Sequence, residues 1–329
     1  MCIKDDGPWR FDNRAIAFNR APFHMETPMD TACSPSLPPH DSTPTALLGG
    51  PSNRLASSEW GRVTLVGAGP GDAELLTLKA ARVLASADLV LYDHLVSDDV
   101  LQHVAPGAER IYVGKQSRNH TLPQEGIIDL MVRLAQSGRS LVRLKGGDPY
   151  IFGRGGEEAQ ALAAMGIACE TVPGISAAQG AAAATGIPLT HRDHAAMLVF
   201  ATGHLQGEEG ERTVALDWAA LARPRQTVVI YMGVGTLPTI CAQLIAHGLP
   251  ASTPAAMVER ATLPGQRSIV GTLQTLPALS VAHGVHPPAL IMIGETVALQ
   301  AQIGSPIGVF TGLPGSPDAA PAPARACTA

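Results

Sequence analysis

The sequence predicts an α/β fold in two lobes, with a mainly parallel sheet in the first lobe and a mixed sheet in the second. Short β-branched runs alternate with helical stretches between residues 62 and 172, a pattern typical of a parallel sheet covered by helices. Beyond residue 188 the strand patterns continue with fewer helical connections. Hydrophobic residues make up 46% of the chain and charged residues only 16%, so we expect a large buried core.

The two ends of the chain differ in composition from its middle. Residues 1–60 contain eight prolines and show neither helical nor strand periodicity, and residues 304–329 are rich in Pro and Ala. Such segments bury too little apolar surface to offset the entropy of ordering. We expect a disordered extension over 1–60, a first α/β lobe over 61–175, a second α/β lobe over 176–303 and a disordered tail over 304–329.

In the first lobe, helix signals separate the strands. A helix is predicted over 73–86 with Asp72 as N-cap, and a short helix opens at Ser97. A third helix begins at a capping box from Thr121 to Gln124, and a fourth covers 155–165. The strands are predicted over 62–66, 88–92, 110–113, 140–145 and 168–172.

The second lobe begins with an Ala-rich helix and the turn Gly186-Ile-Pro188. Strands are predicted over 196–202, 227–232, 254–259, 267–272 and 289–294. The short spacing near 260–267 indicates a hairpin, which makes this sheet mixed.

Charge and cysteine usage exclude several classes of protein. The net charge of -5 argues against a nucleic-acid scaffold, which would carry a basic face. The five cysteines form no CxxC pair, which indicates a reducing compartment. No run of about 20 apolar residues is present, and charges precede any apolar run at the N-terminus. We expect a soluble cytoplasmic protein that binds small molecules and neither membrane nor nucleic acid.

Three glycine clusters each follow a predicted strand, at 67–72, 146–149 and 232–235. In open α/β sheets, ligands bind at the carboxyl ends of the strands, where missing side chains let a ligand lie against the backbone. A single strand-terminal glycine is usually just a turn, but three at comparable positions predict one ligand cleft.

The first cluster, GAGPGD, differs from a dinucleotide-binding loop. The sixth position of the G-x-G-x-x-G pattern is Asp72 rather than Gly. A carboxylate there would repel a pyrophosphate, and Pro70 removes one amide donor. The loop therefore favours a ligand without phosphates and argues against a nicotinamide-dependent oxidoreductase.

Eight motifs occur in one order: GAGPGD (67–72), YDHLVS (92–97), VGK (113–115), RLKGGDPYIFGRGGEE (143–158), PGISAA (173–178), GIPLTHRD (186–193), TGH (202–204) and YMG (231–233). Through them the segment 61–300 closely resembles the tetrapyrrole methylase family, in particular its uroporphyrinogen-III C-methyltransferases. The resemblance implies the two-lobed tetrapyrrole methylase fold and S-adenosylmethionine as methyl donor. It also implies two methylations of uroporphyrinogen III giving precorrin-2, for siroheme or cobalamin synthesis, and a homodimer.

The resemblance assigns donor-binding positions to nine residues: Pro70, Gly146, Gly147, Asp148, Ile151, Ser176, Ala177, Met232 and Ala261. The family usually has Thr where Ser176 stands, which keeps the hydroxyl, and Gly where Ala261 stands. Backbone groups and a carboxylate can hold the amino-acid and ribose parts of the donor, and Met232 can offer a polarizable surface to adenine.

The resemblance assigns the proton acceptor to Asp93 and the proton donor to Lys115. A carboxylate at a strand end suits the acceptor role, because a methylated pyrrole becomes cationic and must lose a proton. The competing interpretation is that Asp93 caps the turn into HLVS and that Lys115 is a solvated cation.

Uroporphyrinogen carries many carboxylates, so cations must line its site. Beside Lys115, the candidates are Arg118, Arg154, His191 and Arg192. His191 and His194 could also form an HxxH metal pair, but no third ligand is evident, and we expect no metal.

Three alternatives to this interpretation remain. The chain could be another precorrin methyltransferase of the same fold or an RNA-directed relative, a nicotinamide-dependent oxidoreductase, or a non-catalytic module that binds S-adenosylmethionine. The presence of both Asp93 and Lys115 argues against the idle module. Sixty Pro-rich residues cannot supply the additional oxidoreductase and chelatase domain of the bifunctional siroheme synthases, so we expect a methyltransferase only.

Overall fold

The structure is a computed structural model, and it describes residues 60–114, 123–204, 214–304 and the backbone of 309–311. The predicted disordered extension therefore lies almost entirely outside the described residues. So do Lys115, Arg118 and Thr121. The predicted capping box from Thr121 to Gln124 is nevertheless wrong, because the third helix begins at Gln124 itself, with Pro123 as N-cap and no side-chain cap. Among the described helices, none combines the length and hydropathy needed to cross a bilayer.

The first lobe is built on a parallel five-stranded sheet, as predicted, in the order β3-β2-β4-β1-β5. Its strands are β1 (Val63–Gly67), β2 (Leu89–Tyr92), β3 (Glu109–Tyr112), β4 (Leu141–Lys145) and β5 (Cys169–Val172). Its helices are α1 (Leu78–Ala85), α2 (Asp98–Leu101), α3 (Gln124–Gln136) and α4 (Gly155–Ala164). Because all five strands are parallel, their carboxyl ends and the loops that follow them lie at one edge.

The helix predicted over 73–86 is wrong in one respect, because it is two elements. Asp72 caps only a 3₁₀ turn over Ala73–Leu75, accepting a hydrogen bond from the Glu74 amide. Leu76 and Thr77 are extended, and the Thr77 side chain then caps α1. The local bond from the Thr77 side chain to the backbone competes with helix continuation, and the α-helix begins at Leu78, five residues later than predicted.

The second lobe holds a mixed six-stranded sheet in the order β11-β9-β8-β10-β7-β6. Its strands are β6 (Met197–Thr202), β7 (Gln226–Tyr231), β8 (Pro254–Glu259), β9 (Arg267–Thr272), β10 (Ala289–Ile293) and β11 (Val309–Thr311). Its helices are α5 (Ala177–Thr185), α6 (Trp218–Leu221), α7 (Leu237–Ala246), α8 (Leu276–Ala282) and α9 (Gln300–Ile303). The pair β8–β9 is antiparallel, which confirms the predicted hairpin.

The strand β11 corrects one expectation. It pairs in parallel with β9, from Val309 opposite Ser268 to Thr311 opposite Val270. These three residues fall in the segment predicted to be disordered from residue 304, so that prediction is wrong for them. Residues 305–308 and 312–329 lie outside the described residues.

The inner strands of both sheets are buried on both faces, as expected for strands covered by helices. In β1 the neighbours Leu65 and Val66 are both fully buried, and they point into separate apolar clusters on opposite faces. In β7 the neighbours Val229 and Ile230 do the same in the second lobe. The rigid sheets thus hold the strand-end loops in place.

Candidate functional site

The site begins with two glycine loops that bind each other through their backbones. The Gly69 amide donates to the Gly147 carbonyl at 3.2 Å, and the Gly147 amide donates to the Gly69 carbonyl at 2.7 Å. Both residues have positive φ, +74° and +67°, which only glycine adopts without strain. The loops after β1 and β4 are therefore joined, as the glycine pattern predicts.

The PGI turn after β5 packs directly on this pair of loops. A Cβ added to Gly67 would lie 2.5 Å from the Gly174 amide nitrogen and 2.7 Å from the Gly147 carbonyl oxygen. A Cβ added to Gly174 would overlap the same carbonyl. Three loops thus meet with no room for a side chain between them. Only backbone groups line the place where they meet.

Asp148 holds these loops together. Its Oδ1 accepts from the Tyr150 amide at 2.8 Å, and its Oδ2 accepts from the Gly174 amide at 3.0 Å. Ile151, half-buried, closes the same turn by donating its amide to the Asp148 carbonyl. Because both carboxylate oxygens already accept from the protein, the described role of Asp148 is to clamp the loops to one another.

Ser176 and Ala177 lie at the start of α5. The Ser176 hydroxyl accepts from the Gln179 amide, and the Gln179 side chain accepts from the Ser176 amide, which forms a capping box. In the next turn Gly180 lies against Pro70, where an added Cβ would be 2.6 Å from the proline ring. The helix therefore begins beside the first glycine loop.

Tyr231 connects the start of α5 with the end of β7. Its hydroxyl accepts from the Ala178 amide at 3.1 Å. Burial raises the pKa of the Tyr231 hydroxyl, because the phenolate would lose its hydration there. Its ring lies 4.8 Å from the ring of Phe152. Tyr231 is not among the site residues predicted from the sequence, although it precedes Met232 within the YMG motif.

Several non-glycine residues around these loops have left-handed backbone conformations. Met232 (φ 55°) is 53% exposed, and Phe152 (φ 52°) is also exposed. Arg260 (φ 50°) and Thr262 (φ 67°) flank the half-buried Ala261. Such strain persists only where the surroundings enforce it, and it concentrates at ligand sites.

The loop after β8 joins the second lobe to the first. The Thr262 hydroxyl accepts from the Asp72 amide at 3.2 Å. The Leu263 side chain covers Gly71, where an added Cβ would be 2.6 Å from it. Ala261 and Pro70 are thereby placed on neighbouring loops, as their predicted common role requires.

Asp93 lies in the turn after β2, beside the glycine loops. Its Oδ1 accepts from the Leu95 amide at 3.1 Å, and its Oδ2 accepts from Arg143 Nη2 at 3.0 Å. Gly146 lies against Leu95, with 2.6 Å between an added Cβ and the leucine Cβ. Asp93 therefore does cap the turn, as the competing interpretation holds, but it also forms an ion pair that a cap does not need.

Beneath Asp93 is a buried charge cluster, formed by Arg143, Lys145 and Glu158, that the sequence analysis missed. Lys145 Nζ donates to Glu158 Oε1 at 3.0 Å, and Gln124 donates to the same oxygen. Burial and the Arg143 charge lower the pKa of Lys145. The sequence does contain one signal of this cluster, because Arg143 and Lys145 are two cations in a strand, LVRLK, whose other residues are all apolar.

Of the predicted substrate cations, Arg154 forms a bidentate pair with Glu157, at 2.9 and 2.6 Å. The hydrogen bond to Glu157 raises the pKa of Arg154. Arg192 is exposed, and Arg225 donates to its carbonyl. The turn of His191 and Arg192 therefore lies at the amino end of β7, whereas Met232 follows its carboxyl end.

The rings of His191 and His194 lie 4.8 Å apart. Within the described ranges, no group of three or more His, Cys, Asp or Glu side chains is arranged to hold a metal. A cavity of about 270 Å³ lies at the same amino end of β7, lined among others by His194, Arg225 and Glu295. None of the glycine loops lines it, so it is separate from the candidate site.

Residues 62–277 match the family of Tetrapyrrole (Corrin/Porphyrin) Methylases. The siroheme synthase of Nitrosospira multiformis is 54% identical over 243 residues, which are 74% of this chain and 51% of that protein. The siroheme synthase of Nitrosomonas europaea is 52% identical over 263 residues, which are 78% of this chain and 54% of that protein. The chain thus spans about half the length of these curated relatives.

Solved structures are similar over the same region. The uroporphyrin-III C-methyl transferase of Thermus thermophilus, complexed with S-adenyl homocysteine, is 43% identical with a TM-score of 0.61. The match covers 73% of this chain and 100% of that chain. A cobalt precorrin-4 methyltransferase is 28% identical with a TM-score of 0.62, covering 72% of this chain and 95% of that one.

Proposed function

Because the chain belongs to the tetrapyrrole methylase family, we propose that it transfers methyl groups from S-adenosylmethionine to two ring carbons of uroporphyrinogen III, giving precorrin-2. One observation carries the proposal: the glycine loops and the Asp93 turn meet at one edge of the first sheet. Gly146 touches Leu95, and the Ser97 hydroxyl donates to the Gly71 carbonyl at 2.6 Å. Such an edge is where α/β sheets bind their ligands.

The residues present fit the donor. The meeting of Gly67, Gly147 and Gly174 leaves backbone amides and carbonyls as the lining, which suits an amino acid and a ribose. Met232 is exposed beside these loops and offers sulfur and methylene surface to a flat base. The donor supplies an electrophilic methyl group. The solved relative that binds S-adenyl homocysteine supports the same choice of ligand class.

Asp93 is proposed as the proton acceptor. When a pyrrole carbon attacks the methyl carbon of the donor, the sulfur–methyl bond breaks and S-adenosylhomocysteine leaves; the ring becomes cationic and must lose a proton. The Asp93 carboxylate is half-buried in the turn at the sheet edge, and its Oδ2 is oriented by Arg143. The resemblance gives the proton-donor role to Lys115, which lies outside the described residues.

Recognition of an acidic acceptor requires cations near this edge. Arg154 follows the GGDPYIF segment and is half-exposed, with its guanidinium oriented by Glu157. We assign it to the acceptor carboxylates, together with Arg118. The turn of His191 and Arg192 lies at the amino end of β7, opposite the end that Met232 follows, so the geometry does not support the role that the sequence predicts for these two residues. A homodimer is proposed on the resemblance alone.

A second candidate is methylation of a later precorrin, which the similarity to a cobalt precorrin-4 methyltransferase favours. The higher identity to the uroporphyrin-III enzyme argues for the first acceptor. The activities that siroheme synthases carry in the other half of their length are not proposed for this chain.

Calorimetry and an acceptor comparison test the proposal. S-Adenosylhomocysteine should bind saturably, and NAD should give no heat. With S-adenosylmethionine present, uroporphyrinogen III should be consumed and a later precorrin should not. Saturable NAD binding without a response to S-adenosylhomocysteine would contradict the methyltransferase assignment, and consumption of only the later precorrin would favour the second candidate.

A further inference from the structure

Four charged side chains form a continuous cluster from the interior to the sheet edge. Arg143 and Lys145 lie on β4, Glu158 lies on α4, and Asp93 lies in the turn after β2. Arg143 and Lys145 are 3% and 4% exposed, and Glu158 is fully buried. Arg143 lies between the two carboxylates, 3.0 Å from Asp93 Oδ2 through Nη2 and 3.5 Å from Glu158 Oε1 through Nε.

Stability alone does not explain this cluster. Removing charges from water costs several kcal/mol per ion, and apolar residues of similar volume often replace a buried ion pair without loss. The cluster is also incompletely hydrogen-bonded, because Arg143 Nε and Glu158 Oε2 lack hydrogen-bond partners among the described atoms. Buried charges kept at such a cost need another reason.

The geometry of Arg143 points to orientation of Asp93. Its Nη1 donates to the Leu144 carbonyl at 2.8 Å, which fixes the guanidinium to β4. Nη2 is then directed at Asp93, and Glu158 attracts the opposite side of the group. Lys145 and Gln124 in turn hold Glu158 in place.

Asp93 is the one member of the cluster with a solvent-accessible side chain, 19% exposed against 5% or less for the other three. The cluster thus holds one carboxylate at the cleft with a rigid support behind it. A turn cap needs only the Leu95 amide, which already bonds the other oxygen, Oδ1. The ion pair with Arg143 is the additional feature.

We propose that Arg143, held by Glu158, is a positioning residue that orients the Asp93 carboxylate for proton acceptance during methyl transfer. This inference rests on the proposed function. Arg143 does not touch the reacting atoms, and its effect on the rate is exerted through Asp93 alone.

A double-mutant cycle tests the inference, with single-turnover methylation of uroporphyrinogen III as readout. Arg143→Lys keeps the charge but cannot reach Leu144, Asp93 and Glu158 together, so we expect the rate to fall by about 10²-fold, the usual effect of a misplaced catalytic group. Affinity for S-adenosylhomocysteine should stay within twofold. In an Asp93→Asn background the same substitution should cost less than threefold, because its target is already lost.

Arg139→Lys is the matched control, since Arg139, two residues before β4, forms an exposed ion pair with Glu109 at 2.5 Å. Its rate should equal that of the wild type. Should Arg143→Lys fail to fold, Glu158→Gln takes its place in the cycle; it keeps the shape of the side chain, and we expect a several-fold loss that disappears in the Asp93→Asn background.

The outcomes separate this inference from the proposed function. Equal fold losses in both backgrounds, with wild-type methylation intact, overturn the positioning role and leave the function standing. A wild-type rate in Arg143→Lys does the same. A wild-type protein that binds the donor but does not methylate overturns both.

Discussion

At the scale of single residues, Asp93 has two separable tasks. One oxygen caps a turn and the other meets Arg143. The cap is local, since the Leu95 amide is two residues away, whereas Arg143 is 50 residues away. Only the second task requires a charged carboxylate, because an amide oxygen caps a turn equally well.

Asp93→Asn separates these tasks. The amide oxygen still accepts from Leu95, but the side chain can no longer act as a base, so turnover should fall by about 10² to 10⁴-fold while donor affinity changes little. Single-turnover methylation and calorimetry check this. Methylation within threefold of the wild type would reduce Asp93 to a cap, and loss of donor binding along with the rate would move it to the donor site.

The sequence predicts single residues of the site but not which distant side chains they contact. Asp93 and the glycines are recognisable because each lies in a short motif directly after a strand. Arg143 and Glu158 are in equally recognisable motifs, but their partnership with Asp93 depends on strands β2 and β4 being neighbours. Linear spacing does not contain that information, so the buried cluster could only be found from the fold.

At the scale of elements, the helix α5 depends on its cap. The capping box between Ser176 and Gln179 satisfies two amides at a helix end that meets the glycine loops. Ser176→Ala should lower the free energy of unfolding by about 1 kcal/mol, as at other N-caps. Ser176→Thr keeps the hydroxyl and should stay near wild type. Urea denaturation measures both, and equal stability of all three proteins would refute the role of the cap.

The close packing of the loops makes a second prediction at this scale. Gly174→Ala places a methyl group against the Gly147 carbonyl, so we expect a loss of about 1 to 3 kcal/mol in unfolding free energy, and weaker donor binding. Gly107→Ala is the control, because an added Cβ there meets nothing within 4 Å. Thermal unfolding with and without S-adenosylhomocysteine distinguishes the two. An unchanged Gly174→Ala would show that the loops separate readily.

Helices and strands can be predicted where the hydrophobic periodicity and the local capping residues indicate the same element. The strands of both sheets appear within a residue or two of their predicted bounds. The helix α7 was missed because Pro238 stands at its start and glycines precede it, which resembles a loop. The strand β11 was missed because its three residues sit in a Pro-rich context, and only pairing with β9 makes them a strand.

At the scale of the whole molecule, β11 forms one edge of the second sheet, beside β9. A variant that ends at residue 303 loses this strand and leaves β9 as a bare edge, so we expect it to be less stable by about 1 to 2 kcal/mol than a variant that ends at residue 312. Urea denaturation of the two compares them directly. Identical midpoints would mean that β11 contributes nothing to the sheet.

We propose that the edge of the first sheet binds a methyl donor beside a base that serves a tetrapyrrole. The most direct measurement is mass spectrometry of the tetrapyrrole after anaerobic incubation of the protein with uroporphyrinogen III and S-adenosylmethionine, with Asp93→Asn alongside. We expect a product heavier by two methyl groups, reached through a singly methylated species, with one S-adenosylhomocysteine released per methyl group and a much slower reaction in the variant. Unchanged uroporphyrinogen III, in the presence of protein that binds the donor, would contradict it.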